Sequence, residues 1–246
     1  MRTCPVCASR FPNFLPLPAK YFEVFHRLKV FYSLEDFETL NIGQYSCPAC
    51  QCSDRDRLYA LYIAQFLPRP EGRPLRILDI APAPVLSKLL RGLANVQYRS
   101  ADLYSELADD KVDITDMYLY PDESFDFIVC SHVLEHVPDD AKAIAELHRV
   151  LAPGGRAILM VPILTTIHET DEDPNEKSVD ERWARFGQDD HVRMYAKDDF
   201  LGRLKNGGFA VESFDSARFR EGAFRMHGIT ETSILYIGSK SARRGI

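Results

Sequence analysis

An alternation of short β-rich runs with helical segments follows Pro74 and constrains the fold of this chain more than any other feature. The predicted strands are residues 76–81, 97–102, 112–114, 125–131, 156–161, 209–214 and 234–238, and the predicted helices are residues 85–93, 139–151 and 196–206. This order predicts an α/β fold, a doubly wound, Rossmann-like seven-stranded sheet that is mostly parallel. In such sheets ligands bind outside the carboxyl ends of the strands.

Composition and apolar runs limit the other fold classes. The chain has 246 residues, 46% of them hydrophobic, and a net charge of -6, which is typical of a globular protein. The longest apolar stretch, residues 157–164, is far below the roughly 18 to 20 residues that a membrane helix needs. The N-terminus has no apolar core followed by a cleavage site. We therefore expect no membrane association and a cytoplasmic location.

Two Cys-Pro-x-Cys pairs near the N-terminus predict a metal site. Cys4 and Cys7 form the first pair, and Cys47 and Cys50 the second. Without a secretory signal disulfides are disfavoured, and two such thiolate pairs satisfy a tetrahedral zinc ion. We predict that these four residues bind a structural zinc, and that Cys52 either replaces Cys50 or is a bystander. The alternatives are two coincidental thiol turns in buried loops and a redox dithiol.

The 39 residues between the cysteine pairs exceed the usual spacing of a four-cysteine site, so this insert must carry structure of its own. We expect its aromatic side chains to pack around the metal core and to dock it on the next domain; they are Tyr21, Phe22, Phe25, Phe31, Tyr32 and Phe37. A helix capped by Ser53 or Asp54 follows and ends at Pro68. We assign residues 1–70 to a zinc-binding subdomain with its connecting helix, and residues 71–246 to the larger domain.

Two stretches of the larger domain are typical of a known family. They are FDFIVCSHVLEHV, residues 125–137, and LHRVLAPGGR, residues 147–156. With them, residues 75–240 resemble the class I S-adenosylmethionine-dependent methyltransferases, in particular the methyltransferase type 11 group. The two stretches look like the fourth strand with its loop, the next helix and a Pro-Gly-Gly turn into the fifth strand. The resemblance implies S-adenosylmethionine as cofactor.

The resemblance also implies roles for residues at the strand ends. The methionine part of the cofactor would contact Asp79, Ile80, Ala81 and Pro82. The ribose would contact Asp102 and Leu103, and the adenine would contact Asp113 and Ile114. Ser131 and His132 would face the reactive end. A carboxylate suits the two hydroxyl donors of a ribose. The alternative is that these aspartates only cap helices or turns.

The loop after the first predicted strand departs from the family. A Gly-rich turn is usual there, whereas this chain has Ala81, Pro82, Ala83 and Pro84. Glycine permits a positive φ, which alanine disfavours, and proline fixes φ near -65°. We therefore expect a different and stiffer path for this loop.

The run His132-Val-Leu-Glu135-His136 matches the H-x-x-E-H pattern of inverted zinc peptidases. A peptidase carries that pattern inside a long helix, whereas here it directly follows a strand and Pro138 comes two residues later. We therefore do not assign a peptidase, and we expect His136 to be a packing or hydrogen-bonded residue.

Residues 163–195 are long for a connection between a strand and a helix. We predict that they form an insertion that covers the acceptor pocket and excludes water; a solvated acidic loop is the alternative for residues 169–181. A hydroxyl or amine acceptor would need a base, typically a histidine. The catalytic candidates are His191 and His132, with Arg193 as an anchor for the acceptor.

These patterns favour methyl transfer to an oxygen or nitrogen of a small-molecule or sugar-type acceptor. Residues 169–190 carry 9 acids and 3 bases, and a nucleic-acid enzyme should instead show a basic face. Nucleic-acid partners are therefore disfavoured. The alternatives are a ribosomal or transfer RNA base methyltransferase with a zinc ribbon, and a zinc-bearing binding protein whose methyltransferase-like domain is inactive.

Overall fold

The computed structural model describes residues 1–242 and contains seven α-helices and eleven strands in this range. The helices are α1 (Ala19–Leu28), α2 (Asp54–Phe66), α3 (Pro84–Arg91), α4 (Asp140–Val150), α5 (Val179–Phe186), α6 (Lys197–Asn206) and α7 (Ala223–His227). The strands are β1 (Arg2–Thr3), β2 (Arg10–Phe11), β3 (Leu75–Ile80), β4 (Val96–Asp102), β5 (Asp110–Lys111), β6 (Phe125–Ser131), β7 (Leu151–Met160), β8 (Asp171–Glu172), β9 (Arg193–Met194), β10 (Ala210–Phe214) and β11 (Leu235–Ser239). The last four residues of the predicted larger domain lie outside this range.

Seven strands form one sheet in the order β10-β11-β7-β6-β3-β4-β5. The pairs from β7 to β5 are parallel, whereas β11 runs antiparallel to both β7 and β10. The strand order along the sheet reverses between β3 and β6. Strands β4 and β5 follow β3 on one side, and β6 and β7 then lie on the other side of β3. The predicted α/β, doubly wound sheet is confirmed, and the carboxyl ends of β3, β4 and β6 meet at one edge.

The Pro-Gly-Gly segment lies inside β7, although the sequence predicts a turn before the strand. Phe125 pairs with Leu151 and Phe127 with Arg156, so the register shifts between these positions. Gly154 has φ 77, a conformation that glycine adopts readily. The segment is thus an irregularity within the strand, and β7 begins five residues earlier than predicted.

Helix α2 packs into the core of the sheet domain. Ser53 caps it through hydrogen bonds with Asp56 in both directions, as its sequence predicts. Leu58, Tyr59 and Tyr62 are fully buried against the sheet, and the Tyr62 ring stacks at 6.4 Å from that of Phe127. The structure therefore places α2 with the larger domain. Whether residues 1–52 fold as a separate unit stays a prediction.

Arg57 of α2 joins the N-terminal segment to the C-terminal end of α7. Its side chain is fully buried, and its guanidinium lies 3.8 Å from the ring centre of Phe14. It donates hydrogen bonds to the carbonyls of Gln44, Tyr45, Cys52, His227 and Gly228. One buried cation thus holds together two segments that are distant in sequence.

The six aromatic side chains predicted to surround the metal core lie elsewhere. The small core at the cysteines contains Phe14 and Phe11. Tyr32, with Phe25 and Phe37 beside it, instead packs against residues of the 163–195 segment, and Phe22 and Phe31 are exposed. The insert therefore docks on the larger domain through an aromatic cluster separate from the cysteine core. Within residues 1–242, no helix has the length and apolar character required to cross a membrane.

Candidate functional site

The two cysteine pairs lie in loops of the same backbone geometry. The amide of Ala8 donates to the carbonyl of Cys4, and that of Gln51 to the carbonyl of Cys47, both at 2.9 Å. Ala8 and Gln51, each directly after the second cysteine of its pair, have φ values of 60 and 63. Such paired tight turns present both thiols of a pair to one side.

The four predicted cysteines converge on one point. The Sγ atoms of Cys4, Cys7, Cys47 and Cys50 all lie within 4.8 Å of one another. The Cys4–Cys50 and Cys7–Cys47 distances are both 3.8 Å, which is the edge of about 3.8 Å that a tetrahedron with Zn–S bonds of about 2.3 Å requires. Cys52 is buried with its Sγ 3.5 Å from that of Cys4, but it is not part of the mutually close set.

Asp79 is the penultimate residue of β3 and is buried at the carboxyl edge of the sheet. Its side chain accepts a hydrogen bond of 2.7 Å from the hydroxyl of Tyr98. Burial raises the pKa of the Asp79 carboxyl to about 7, and the opposing effect of the Tyr98 hydrogen bond is smaller. This carboxyl therefore titrates near neutral pH.

The loop after β3 keeps a left-handed residue without glycine. Ala81 has φ 49, and its amide donates to the carbonyl of Ala101 at 2.8 Å. This conformation costs a non-glycine residue about 1 to 2 kcal/mol. Alanine disfavours a positive φ, but Ala81 adopts one because its hydrogen bond to β4 holds the turn. Pro84 then opens α3 at a first-turn position that suits proline.

Asp102 and Asp113 lie along the same edge. The amides of Tyr104 and Ser105 donate to Oδ1 of Asp102 at 2.7 Å, and its Oδ2 accepts no hydrogen bond from residues 1–242. The backbone amide and hydroxyl of Thr115 donate to Oδ1 of Asp113. Both aspartates thus stabilise local turns, as the capping alternative expects, while Asp102 keeps one oxygen for a ligand. Leu103 is partly exposed and Ile114 is buried.

A cavity of about 340 Å³ opens above the ends of β3 and β6; we call it the strand-end cavity. Its walls include Asp79, Ile80, Ala81, Ser131 and His132, which brings together five of the predicted cofactor residues. The hydroxyls of Tyr59 and Ser131 share a hydrogen bond of 2.7 Å on its floor. Pro82, Asp102, Leu103, Asp113 and Ile114 do not line it.

A second, smaller cavity of about 100 Å³ adjoins the first; we call it the lid cavity. Its aromatic walls come from Tyr21, Phe25 and Phe37 of the N-terminal insert and from Phe186 of α5. The N-terminal insert therefore forms one wall, and the predicted 163–195 insertion forms another. The two cavities share Tyr45, Arg55 and His132.

His132 stands where the two cavities meet. It has φ 57 directly after β6, and such a conformation in a non-glycine residue is frequent at functional sites. Its Nδ1 lies 3.3 Å from Nη1 of Arg55 and 3.1 Å from Oε1 of Glu135. Burial, with a smaller effect of the Arg55 charge, lowers the pKa of His132 to about 4, so the ring is neutral at pH 7.

His191 and Arg193 lie close together in sequence but differ in setting. His191 is 2% exposed and lines the lid cavity, and burial lowers its pKa. Arg193 is also buried but lines neither cavity. Its guanidinium donates to the carbonyls of Leu134, Val137 and Pro138 and to the carboxylate of Glu172. With these donors engaged, Arg193 stabilises the turn after β6, and the structure does not bring it into either cavity beside His132 and His191.

Four of the nine acids in residues 169–190 lie within ion-pair distance of an arginine, namely Asp171, Glu172, Asp173 and Glu176. Arg185 lies 2.6 Å from Asp171 and 3.6 Å from Asp173, and Glu172 contacts Arg193 and Arg203 at 3.0 Å. None of these acids lines the lid cavity. These ion pairs therefore stabilise the segment of residues 163–195 and do not set the charge of the lid cavity.

Two residues of the site are absent from the sequence predictions. Arg55, in the first turn of α2, lies in the walls of both cavities and forms no ion pair within residues 1–242. Tyr45, just before the second cysteine pair, lies beside it. The one sequence feature that could have indicated Arg55 is the charged run SDRDR at residues 53–57, where α2 begins. Such runs are common at helix N-termini that bind no ligand.

Residues 53–213 match the family described as methyltransferase domain. This match covers more than half of the chain and includes all residues that line the strand-end cavity except Tyr45 and Gln51. The chain belongs to the family of class I S-adenosylmethionine-dependent methyltransferases.

Two curated relatives of this methyltransferase act on different kinds of atom, as their names state. It is 32% identical over 142 residues to the ajmaline N-methyltransferase of Rauvolfia serpentina, which is 49% of this chain and 45% of that protein. It is 38% identical over 80 residues to the ubiquinone biosynthesis O-methyltransferase of Hahella chejuensis (strain KCTC 2396), which is 31% of this chain and 29% of that protein. The methyltransferase thus spans less than half the length of these relatives.

A solved structure supports the fold over nearly the whole chain. The 4+2 cyclase SpnF superposes with a TM-score of 0.52 at 16% sequence identity, over 94% of this methyltransferase and all of SpnF. At this identity the likeness concerns the fold alone.

The strand-end cavity and the neighbouring end of β4 together offer the polar groups that S-adenosylmethionine requires. Arg55 offers an unpaired cation for a carboxylate, and Asp79 offers a buried acid that can face an ammonium group. Asp102 keeps an unpartnered Oδ2 for hydroxyl donors. The residues present therefore fit the cofactor.

Proposed function

We propose that this methyltransferase transfers a methyl group to an oxygen or nitrogen of a small, largely apolar acceptor bound in the lid cavity. One observation carries the proposal: an aromatic-lined cavity of about 100 Å³ adjoins the strand-end cavity and shares His132 with it. A small cavity with aromatic walls suits an apolar or ring-shaped ligand. A nucleic acid would need a basic surface around the site, and the lid cavity has only one arginine in its walls.

We propose that the strand-end residues divide the cofactor between them. S-adenosylmethionine supplies a methyl group on a positively charged sulfur when it is bound. Asp102 accepts hydrogen bonds from the ribose hydroxyls with its Oδ2, Asp113 and Ile114 flank the adenine, and Asp79 and Ala81 lie beside the methionine part. Arg55 holds the cofactor's carboxylate, because it is the cation in the walls of the strand-end cavity that has no carboxylate partner within the described range.

His132 and His191 are the groups proposed to act on the acceptor. Methyl transfer is an in-line displacement, so the main task of the protein is to align the acceptor in a site without water. The lid helix α5 and the N-terminal insert close the cavity from two sides, which serves that task. An acceptor hydroxyl or ammonium must also lose a proton, and neutral His132, at the junction of the cavities, is placed to receive it.

We propose further that Cys4, Cys7, Cys47 and Cys50 hold a structural zinc ion. Their 3.8 Å Sγ distances and the two similar turns support a tetrahedral site. The insert that lines the lid cavity is bounded by the two pairs, so the zinc would fix the ends of this wall.

Binding of S-adenosylhomocysteine, measured by calorimetry on the full chain, tests the proposal. We expect one molecule per chain, weaker binding by the Asp102→Asn variant, and unchanged binding by Asp122→Asn, an exposed aspartate distant in sequence. A structure with this ligand would show the space that faces the sulfur. Absence of binding by the wild-type chain would instead favour a zinc-bearing binding protein.

The acceptor class is tested by adding small aromatic and aliphatic compounds to the chain saturated with S-adenosylhomocysteine. We expect apolar ring compounds to bind, and the Phe37→Ala variant to weaken them more than it weakens S-adenosylhomocysteine. Tight binding of RNA in preference to all such compounds would contradict a small acceptor.

A further inference from the structure

A buried cluster of one carboxylate and two imidazoles lies beneath the lid. Ligand atoms of Glu135, His136 and His191 are all within 4.8 Å of one another. Glu135 is fully buried, yet neither of its oxygens accepts a well-formed hydrogen bond from residues 1–242. The nearest nitrogen, Nδ1 of His132, is 3.1 Å away, but it also faces the Arg55 guanidinium at 3.3 Å. A buried carboxylate without such partners is costly.

Both histidines of the cluster are oriented through Nδ1. The Nδ1 of His191 is 2.9 Å from the carbonyl oxygen of Phe186. A carbonyl only accepts, so Nδ1 carries the hydrogen and Nε2 keeps its lone pair. This Nε2 is buried without a hydrogen-bond partner in the described range and lies 4.0 Å from Oε1 of Glu135. Imidazoles that bind metals usually donate through the other nitrogen to a carbonyl or carboxylate in this way.

His136 has an acid beside its Nδ1. Oδ2 of Asp190 lies 3.2 Å from this nitrogen, within ion-pair distance, and Nε2 of His136 forms no hydrogen bond within the described range. The rings of His136 and His191 are 4.6 Å apart between centres and nearly perpendicular. One carboxylate and one carbonyl thus fix the two imidazoles beside Glu135.

We propose that Glu135, His136 and His191 bind a divalent transition-metal ion, with one open coordination position. Two imidazoles and a carboxylate are ligands for ions such as zinc, manganese or cobalt, whereas the four cysteines select zinc through thiolates. The two sites therefore differ in ligand chemistry. Glu135 and His136 belong to the turn after β6, and the backbone amide of Val192 donates to the Glu135 carbonyl at 2.9 Å, which ties the lid to that turn.

An ion bound here would stand at the wall of the lid cavity, since His191 is one of its lining residues. A metal ion lowers the pKa of a bound hydroxyl or water. This consequence rests on the proposed methyl transfer, whereas metal binding itself does not depend on it.

Cobalt(II) titration of the full chain, loaded beforehand with one equivalent of zinc for the cysteines and freed of excess zinc, tests the site. We expect one further equivalent by calorimetry, with visible absorption bands of nitrogen and oxygen ligation and without thiolate charge-transfer bands. The Glu135→Gln and His191→Asn variants should weaken this binding at least tenfold, and His168→Gln, which changes an exposed histidine, should leave it unchanged. No further equivalent in the wild-type chain, or wild-type affinity in both cluster variants, would overturn the proposal.

A pair of exposed aspartates gives a test that does not disturb the core. Asp190→Asn removes the partner of His136, and Asp189→Asn makes the same charge change one residue earlier. Loss of such a partner typically weakens metal binding by about tenfold to a hundredfold; we expect this for Asp190→Asn alone, and equal binding in the two variants would count against the site. Calorimetry with S-adenosylhomocysteine, run in parallel, separates failure of the metal site from failure of the proposed function.

Discussion

Arg55 and His132 meet at the junction of the two cavities, where Nη1 of the arginine lies 3.3 Å from Nδ1 of the histidine. Arg55 comes from α2 and His132 from the turn after β6, so the contact joins the first helix of the sheet domain to its central strands. Arg55 has no carboxylate within ion-pair distance in the described range. A partly buried guanidinium without a carboxylate partner is costly. A ligand that carries a carboxylate would supply this partner.

The Arg55→Gln substitution should weaken cofactor binding. Charge-assisted hydrogen bonds contribute about 1.5 to 3 kcal/mol, so we expect the Kd of S-adenosylhomocysteine to rise by about tenfold to a hundredfold. Thermal stability should change little, because the side chain forms no ion pair to lose. Calorimetry measures the Kd. The matched control is Arg69→Gln, which changes an exposed arginine between α2 and β3. An unchanged Kd together with weaker acceptor binding would move Arg55 to the acceptor.

Replacement of the cysteines should separate ligands from bystanders. We expect the wild-type chain to retain one equivalent of cysteine-bound zinc by elemental analysis, and the Cys4→Ser and Cys47→Ser variants each to hold one equivalent less. Cys52→Ser should retain zinc, because its Sγ approaches Cys4 but not the whole set, and Cys130→Ser, in β6, is a second control. Loss of zinc in Cys52→Ser with retention in Cys50→Ser would exchange the roles of these two residues.

Loss of zinc should also affect the acceptor more than the cofactor. The insert between the two pairs lines the lid cavity with Tyr21, Phe25 and Phe37, whereas most of the strand-end cavity comes from the sheet and α2. We therefore expect chelation of the zinc to weaken acceptor binding while S-adenosylhomocysteine still binds. Equal losses of both would indicate that the zinc stabilises the whole protein.

The sequence predicts the central sheet well because its strands carry their own signals. Strand β6 has the predicted bounds, and β3 and β4 differ by one residue. Strand β5 is only two residues long, and its place is set by pairing with Ala101 and Asp102 rather than by its own composition. The predicted strand at residues 112–114 is accordingly displaced. The position of such a short strand is decided by its pairing in the folded sheet.

The site residues were predictable only where position along a strand decides them. Asp79 and Ser131 lie at the carboxyl ends of neighbouring parallel strands, and both line one cavity. Tyr45 and Arg55 enter the site because the N-terminal insert folds back over the sheet edge, and the spacing of its cysteines gives no indication of this. The full burial of Glu135 was equally hidden, because a Leu-Glu-His turn looks solvent-exposed in sequence.

Cofactor binding should become tighter as the pH rises from 6 to 8. Burial raises the pKa of Asp79 to about 7, so below this pH the free carboxyl is protonated and must lose its proton to face an ammonium group. Linkage then predicts a Kd for S-adenosylhomocysteine that falls by about tenfold over this range. The groups that act on Asp79 are Tyr98, Asp56 and Arg91.

The Asp79→Asn variant checks the origin of this pH dependence. Its Kd should be higher at pH 8 and nearly independent of pH. A wild-type slope in this variant would assign the proton to another group, and Asp56→Asn would then be examined in the same way.

Asp126 should make the fold sensitive to acid. Its carboxylate, at the start of β6, accepts five hydrogen bonds from Arg73 and Arg76, and these hold its pKa well below the usual range although burial opposes them. A lowered native pKa gives stability that is present above the unfolded-state pKa of about 4 and is lost as the pH falls below it. We expect the free energy of unfolding to decrease through this range.

The Asp126→Asn substitution should remove this acid sensitivity and lower the free energy of unfolding at pH 7 by about 2 kcal/mol, since hydrogen bonds to charged groups contribute about 1.5 to 3 kcal/mol. Both arginines are partly exposed and regain water, which keeps the loss below that of a fully buried pair. Urea unfolding from pH 7 to pH 3 measures both effects. Asp122→Asn is the matched control, because its carboxylate pairs with Arg149 at an exposed position, and it should change the free energy by less than about 1 kcal/mol. Equal effects of the two substitutions would show that the Arg73 and Arg76 bonds to Asp126 are no stronger than a surface ion pair.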